Sequence, residues 1–159
     1  MSYGNAVRVP QPEQDAGKVF RAGLQLLNAD NVRDALIAFE NAHYLDPEEP
    51  IYMSYLGLAR VLLRKDVKQA VKLCEKAAKD NLYHPEICHN LGRVYVMRNE
   101  RKKALEALNH GLKIDPDNDA IRSELRRMGT RKDPPITFLD RDNLLNHYLG
   151  KLLATFGAR

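Results

Sequence analysis

Four side chains in the middle of the chain have the chemistry to hold a metal ion. His84 and Cys88 are four apart, His89 adjoins Cys88, and Cys74 lies on the preceding segment; all are ligand types that zinc accepts. Their spacing is neither the paired CxxC nor the HExxH pattern, and a buried thiol more simply serves as a small hydrophobe, so the cluster is read as core and no metal is expected. Asp115-Pro116-Asp117-Asn118-Asp119 imitates the opening of a calcium loop. Ala120 stands where such a loop turns on glycine, however, and Arg126 where it closes on a bidentate glutamate, which leaves a turn and a helix start. The chain has three serines, no GxSxG elbow, no phosphate-cradling glycine loop and no carboxylate pair close to a histidine, so no catalytic constellation and no cofactor are expected. Arg98, Arg101, Lys102 and Lys103, then Arg122, Arg126, Arg127, Arg131 and Lys132, make the later half basic. No aromatics are interleaved with them to stack on bases, so nucleic-acid binding is disfavoured.

The elements that carry these residues belong to one domain's worth of chain. In 159 residues, 44% apolar and 29% charged, there is enough material for a sizeable core and no apolar run of the roughly 18 to 20 residues that span a bilayer. The opening MSYGNAVRVPQPEQ lacks a signal pattern, and two cysteines do not make a disulfide framework, which predicts a reduced, cytoplasmic protein. Charge is polarised: residues 1–50 hold four Lys/Arg against eight Asp/Glu, the remainder 21 against thirteen.

Laid against itself, the chain repeats. Ala22-Gly23, Leu56-Gly57 and Leu91-Gly92 open three similar segments whose glycines are 34 and 35 apart. Each continues with a second pattern: Ala35, Phe39, Ala42; Ala70, Cys74, Ala77; Ala104, Leu108, Gly111. Leu45-Asp46-Pro47 and Ile114-Asp115-Pro116 close the first and third units, where proline ends one helix and prepares the next. Small residues at these intervals let two antiparallel helices approach closely, and the large ones fill the gap between them. The middle unit departs from the pattern with Arg60 at an aromatic position, one extra residue before Ala70, and Asn81-Leu82-Tyr83-His84-Pro85 as its closing turn.

This pattern resembles the tetratricopeptide repeat family. The resemblance implies an all-α, right-handed superhelical array of antiparallel helix pairs over residues 13–129, with units 16–49, 50–84 and 85–118 behind a flexible stretch 1–12. A capping helix would follow at 117–129, its charged face of Arg122, Glu124, Arg126 and Arg127 turned to water. It implies no catalysis and a role as a protein-binding scaffold, with a partner peptide or helix held in a concave groove formed by the first helix of each pair. On that register the groove residues are Phe20, Leu24 and Leu27; Ile51, Tyr55, Leu58 and Leu62; and His89, Asn90, Arg93 and Met97. The family's clamp for the acidic tails of heat-shock chaperones is not reproduced. Phe20 and Leu24 replace its first-repeat Lys and Asn, Tyr55 its second-repeat Asn, and Glu86 and Asn90 its third-repeat Lys and Arg. An apolar ligand is expected instead.

Beyond a linker at 130–141 containing Pro134-Pro135, residues 142–156 read as an amphipathic helix. Leu144, Leu145, Tyr148, Leu149, Leu152, Leu153 and Phe156 fall on one side at 100° per residue, with Asn143, Asn146, Gly150 and Ala154 opposite. A membrane-surface helix carries a Lys/Arg-rich back, so lipid is the lesser reading and an apolar protein groove the favoured one, in this chain or in an identical neighbour. The wording PPITFLDRDNLLNHYLGK also resembles the ends of short bacterial repeat proteins.

Overall fold

The computed structural model describes residues 15–81 and 83–129; the amino-terminal stretch, the linker and the 142–156 segment discussed above lie outside them. Seven α-helices are described: α1 (Ala16–Asn28), α2 (Val32–Leu45), α3 (Pro50–Leu62), α4 (Val67–Asp80), α5 (Pro85–Met97), α6 (Arg101–Ile114) and α7 (Asp119–Met128). No strand occurs among the described residues. Local chemistry marks the helix starts. Asp15 Oδ1 accepts the Gly17 N–H at 2.9 Å, Asn118 Oδ1 accepts that of Ile121 at 3.1 Å, and Pro50 and Pro85 occupy first-turn positions that need no donor.

Within each pair the helices are joined by a tight turn through a left-handed residue: Asp30 (φ 59°), Arg64 (φ 54°) and Asn99 (φ 60°). Behind each, two backbone bonds close the helix end, as where Asn31 N–H reaches Leu26 O and Asp30 N–H reaches Leu27 O. Asp and Asn accept this conformation more readily than Arg. The extra residue of the middle unit is absorbed by a second left-handed residue, Asp66 (φ 40°), which starts α4 with no side-chain cap.

The pairs α1/α2, α3/α4 and α5/α6 pack most closely, and the repeated glycines explain how. A Cβ on Gly57 would meet Cys74 Sγ and stand 2.7 Å from the Ala70 carbonyl oxygen; one on Gly92 would sit 2.5 Å from Leu108 Cδ2. Phe39, Leu56, Leu58, Ile87 and Leu108 fill the interior. Between pairs, α2 packs on α3, α4 on α5 and α6 on α7, while α3 also packs on α5 and α5 on α7. The side formed by the first helices α1, α3 and α5 is the inner side of the expected groove.

One sequence expectation needs correction. Glu124 does not face water: it is 6% exposed, and Arg127 Nη1 donates to its Oε2 at 3.2 Å. In place of an aromatic contact, Arg60 makes a salt bridge to Glu40 at 3.1 Å, joining α3 to α2.

Candidate functional site

The inner side is built by a stepwise contact between consecutive first helices. The residue three before the glycine in one repeat meets the residue two before the glycine in the next. From α1 to α3 that pair is Phe20 and Tyr55, ring centroids 5.3 Å apart and edge to face. From α3 to α5 it is Ser54 and Asn90, with Asn90 Nδ2 donating to Ser54 Oγ at 3.2 Å. Phe20 also packs on Phe39 at 5.7 Å and Tyr52 at 4.7 Å, so the first step is an aromatic cluster. The sequence reading missed Tyr52 and Phe39 as parts of this wall; their aromatic type close to Phe20 and Tyr55 in the register was the available signal.

These contacts redistribute the predicted groove residues. Leu58, expected to be exposed, is fully buried among Val61, Ala70, Val71 and Val94. Phe20 is likewise enclosed, and Asn90 is 1% exposed. Neighbouring helices cover each of them: α4 and α5 enclose Leu58, Phe39 of α2 and Tyr52 and Tyr55 of α3 enclose Phe20, and Ser54 of α3 meets Asn90. Leu24, Leu27, Ile51, Tyr55 and Leu62 stay half-buried, and Val96, like Leu62, packs against the core cluster around Leu58 and Val94. Met97 is the open end of this row at 47% exposure.

Polar groups gather toward α5. The Tyr55 hydroxyl donates to Glu86 Oε2 at 3.3 Å; burial, and then the Glu86 charge, push the phenol up to about 12. His89 is held down to about 4, first by burial and then by the neighbouring Arg93 guanidinium, so it is neutral at pH 7. Arg93 also bears electrostatically on Tyr55, which puts it on the same surface, and it is half-buried with no ion pair to another described residue. The two cysteines lie in the helix interfaces. The Cys74 thiol donates to Ser54 O at 3.4 Å and is pushed up to about 12 by burial, and Cys88 is 3% exposed. Among the described residues no three His, Cys, Asp or Glu side chains converge as a metal site. Asp115 and Asp117 are engaged by Asn118 and Arg122 in the turn before α7.

Residues 61–127 match the family model of the tetratricopeptide repeat. That match places tetratricopeptide repeats over these residues. It is 26% identical over 118 residues to the DnaJ homolog subfamily C member 3 homolog of Dictyostelium discoideum, an alignment covering 69% of this chain and 24% of that protein, so the chain spans about a quarter of that curated relative. The repeat fold is shared with the Arabidopsis OM64 TPR domain (17% identity, TM-score 0.61, 74% of this chain and 97% of that one). It is shared as well with the first TPR of Spaghetti (RPAP3) bound to an HSP90 peptide, SRMEEVD (19% identity, TM-score 0.58, 71% and 89%). No described helix is long and apolar enough to cross a membrane.

Proposed function

We propose that the array is a protein-binding scaffold that takes an apolar helix along its inner side, with residues 142–156 as a self-ligand or as the link to an identical neighbour. The observation that carries this reading is the row of half-buried apolar residues drawn from three successive first helices: Leu24 and Leu27, Tyr55 and Leu62, Val96 and the exposed Met97. Such a row is apolar enough to reward a partner, and its first step is the edge-to-face contact of Phe20 and Tyr55. Glu86 adds a carboxylate where an acidic tail would need a cation, so the ligand differs in class from the HSP90 peptide of the Spaghetti complex. A basic-face reading, with nucleic acid or an anionic membrane as the partner, is weakened because Arg98, Lys103, Arg122 and Arg127 are each ion-paired within the array.

The test uses the full-length chain with Leu149→Asp and Leu152→Asp in its own tail, titrated with a labelled peptide of residues 138–159. Saturable binding is expected, and Leu24→Glu or Leu62→Glu should remove it with helical content unchanged. No saturation up to a few hundred micromolar peptide, weaker than about −5 kcal/mol, would overturn the reading. In the unaltered chain, molecular mass that rises with concentration marks exchange between neighbours, and a constant monomer mass marks a self-ligand.

A further inference from the structure

The geometry points to a second binding site, on the side of the second helices, where a groove between α4 and α6 takes an arginine side chain presented by a partner protein. It is separate from the inner row.

The groove exists because both of its walls carry small residues. Helices α4 and α6 each pack on α5 but not closely on each other, which leaves a cavity of about 470 Å³ above α5, within the roughly 300 to 1,000 Å³ of ligand sites. Its floor is Leu91 and the buried Cys88, and its walls are Ala78 of α4 and Ala107 of α6. In the repeat register the preceding groove, between α2 and α4 above α3, has His43 in place of Ala78 and Leu73 in place of Ala107. There Leu73 packs against two core clusters and His43 is half-buried. Large side chains occupy the first groove, and alanines leave the second open.

Charge names the occupant. The first groove supplies its own cations: Arg60 Nη2 lies 3.1 Å from Glu40 Oε1, and Lys76 pairs with Glu48 at 3.9 Å. In the second groove the places of Arg60 and Lys76 are held by Tyr95 and His110, that of Glu40 by Glu75, and that of Lys72 by Glu106. Glu75 Oε1 accepts the neutral Tyr95 hydroxyl at 2.8 Å, and neither Glu75 nor Glu106 makes an ion pair with another described residue. Lys103 lies over the Tyr95 ring at 5.3 Å, but its charge is met by Glu100 at 2.9 Å, which also takes Arg98. Lys79 and Lys102, each four positions from one of the two carboxylates, do not line the cavity. Unpaired carboxylates on opposite walls of an apolar cavity favour a cation on an apolar stem. Arginine has both, and its fork can bond a carboxylate at two points. Arg60 on Glu40 is the same pairing made within the chain.

The test titrates the isotope-labelled full-length chain with N-hexylguanidinium, an apolar stem ending in a guanidinium, and follows amide chemical shifts. Saturable shifts are expected at Ala78, Leu91 and Ala107, with a Kd on the order of 1 mM. Hexanoate, a similar stem with the opposite charge, and guanidinium without a stem should each bind at least about tenfold more weakly. Two variants copy the first groove. Ala107→Leu removes the room, and Glu106→Lys reverses a charge at an exposed position, so it tests the site even where the leucine disturbs packing; each should weaken the probe about tenfold or more. Thermal melts verify the fold of each variant. Equal binding of hexanoate, affinity unchanged in Glu106→Lys, shifts confined to the inner side, or no saturation up to about 20 mM would each overturn the site.

Discussion

The two steps along the inner wall join the same pair of repeat positions with opposite chemistry. Between α1 and α3 the contact is Phe20 against Tyr55, continued into Phe39 and Tyr52. Between α3 and α5 it is a single hydrogen bond from Asn90 to Ser54, fully enclosed. Helix spacing does not require either choice, because glycines set the close approach within each pair. The aromatic step supplies area and tolerates small shifts. The polar step contributes little net energy, yet a displaced Asn90 would lose its partner in a buried place, so it fixes the register of α5 on α3. Strength sits at one end of the wall and specificity at the other.

Phe20→Ala would break the comparison most severely. Loss of a ring shared by three aromatic neighbours should cost about 3 to 4 kcal/mol, read as a lowered denaturation midpoint, and a loss below about 1 kcal/mol would deny the aromatic step its role. Asn90→Leu should cost about 2 kcal/mol because it strands the Ser54 hydroxyl. Adding Ser54→Ala should recover much of that loss, and strictly additive costs would show that the two residues are not coupled.

The pH response sharpens the same contrast. His89 is held to about 4 against an ordinary value of 6.5, and His43 is also lowered, by burial first and then by Arg60 and Lys76. The unfolded chain therefore binds protons more readily than the folded one. The stability involved is whole above pH 6.5 and is lost as the pH falls toward 4. After allowance for partial exposure, His89 should account for about 1.5 kcal/mol of that loss. His89→Asn should flatten the melting-temperature profile over this range, and an unchanged slope would show that the imidazole is not desolvated. Tyr55→Phe is the mildest change. The bond it removes, to Glu86, is long at 3.3 Å, so the expected cost is below about 1 kcal/mol, detectable in thermal melts as a shift of a few degrees at most.

The fold was legible because Gly23, Gly57 and Gly92 recur with their alanines at intervals that only paired helices explain. The inner wall was legible only in part. Register shows that Phe20, Leu58 and Asn90 face inward, but whether such a side chain is a surface or an interior depends on how closely the next helix approaches, and that distance is not written at the residue itself. Glu124 was misread through its charge. It stands two before the vacant glycine site at Arg126, the place held by Tyr55 and Asn90 in the preceding repeats, and position outweighed polarity, with the exposed Arg127 reaching the buried carboxylate from the surface. Cys74 and Cys88 illustrate the converse: their chemistry suggested a ligand set, and their repeat positions put them between helices.

The turn between α3 and α4 bears on how the chain folds. The first and third hairpins close on Asp30 and Asn99, residues that tolerate the left-handed conformation, whereas the middle one must place both Arg64 and Asp66 there. Local sequence therefore helps the outer hairpins to nucleate and leaves the central one to form against them, as the last link rather than the seed. Arg64→Gly removes part of that obstacle. It should raise stability by about 0.5 to 1 kcal/mol, chiefly by slowing unfolding while the refolding rate stays nearly constant. A faster refolding limb would place the central hairpin in the nucleus instead.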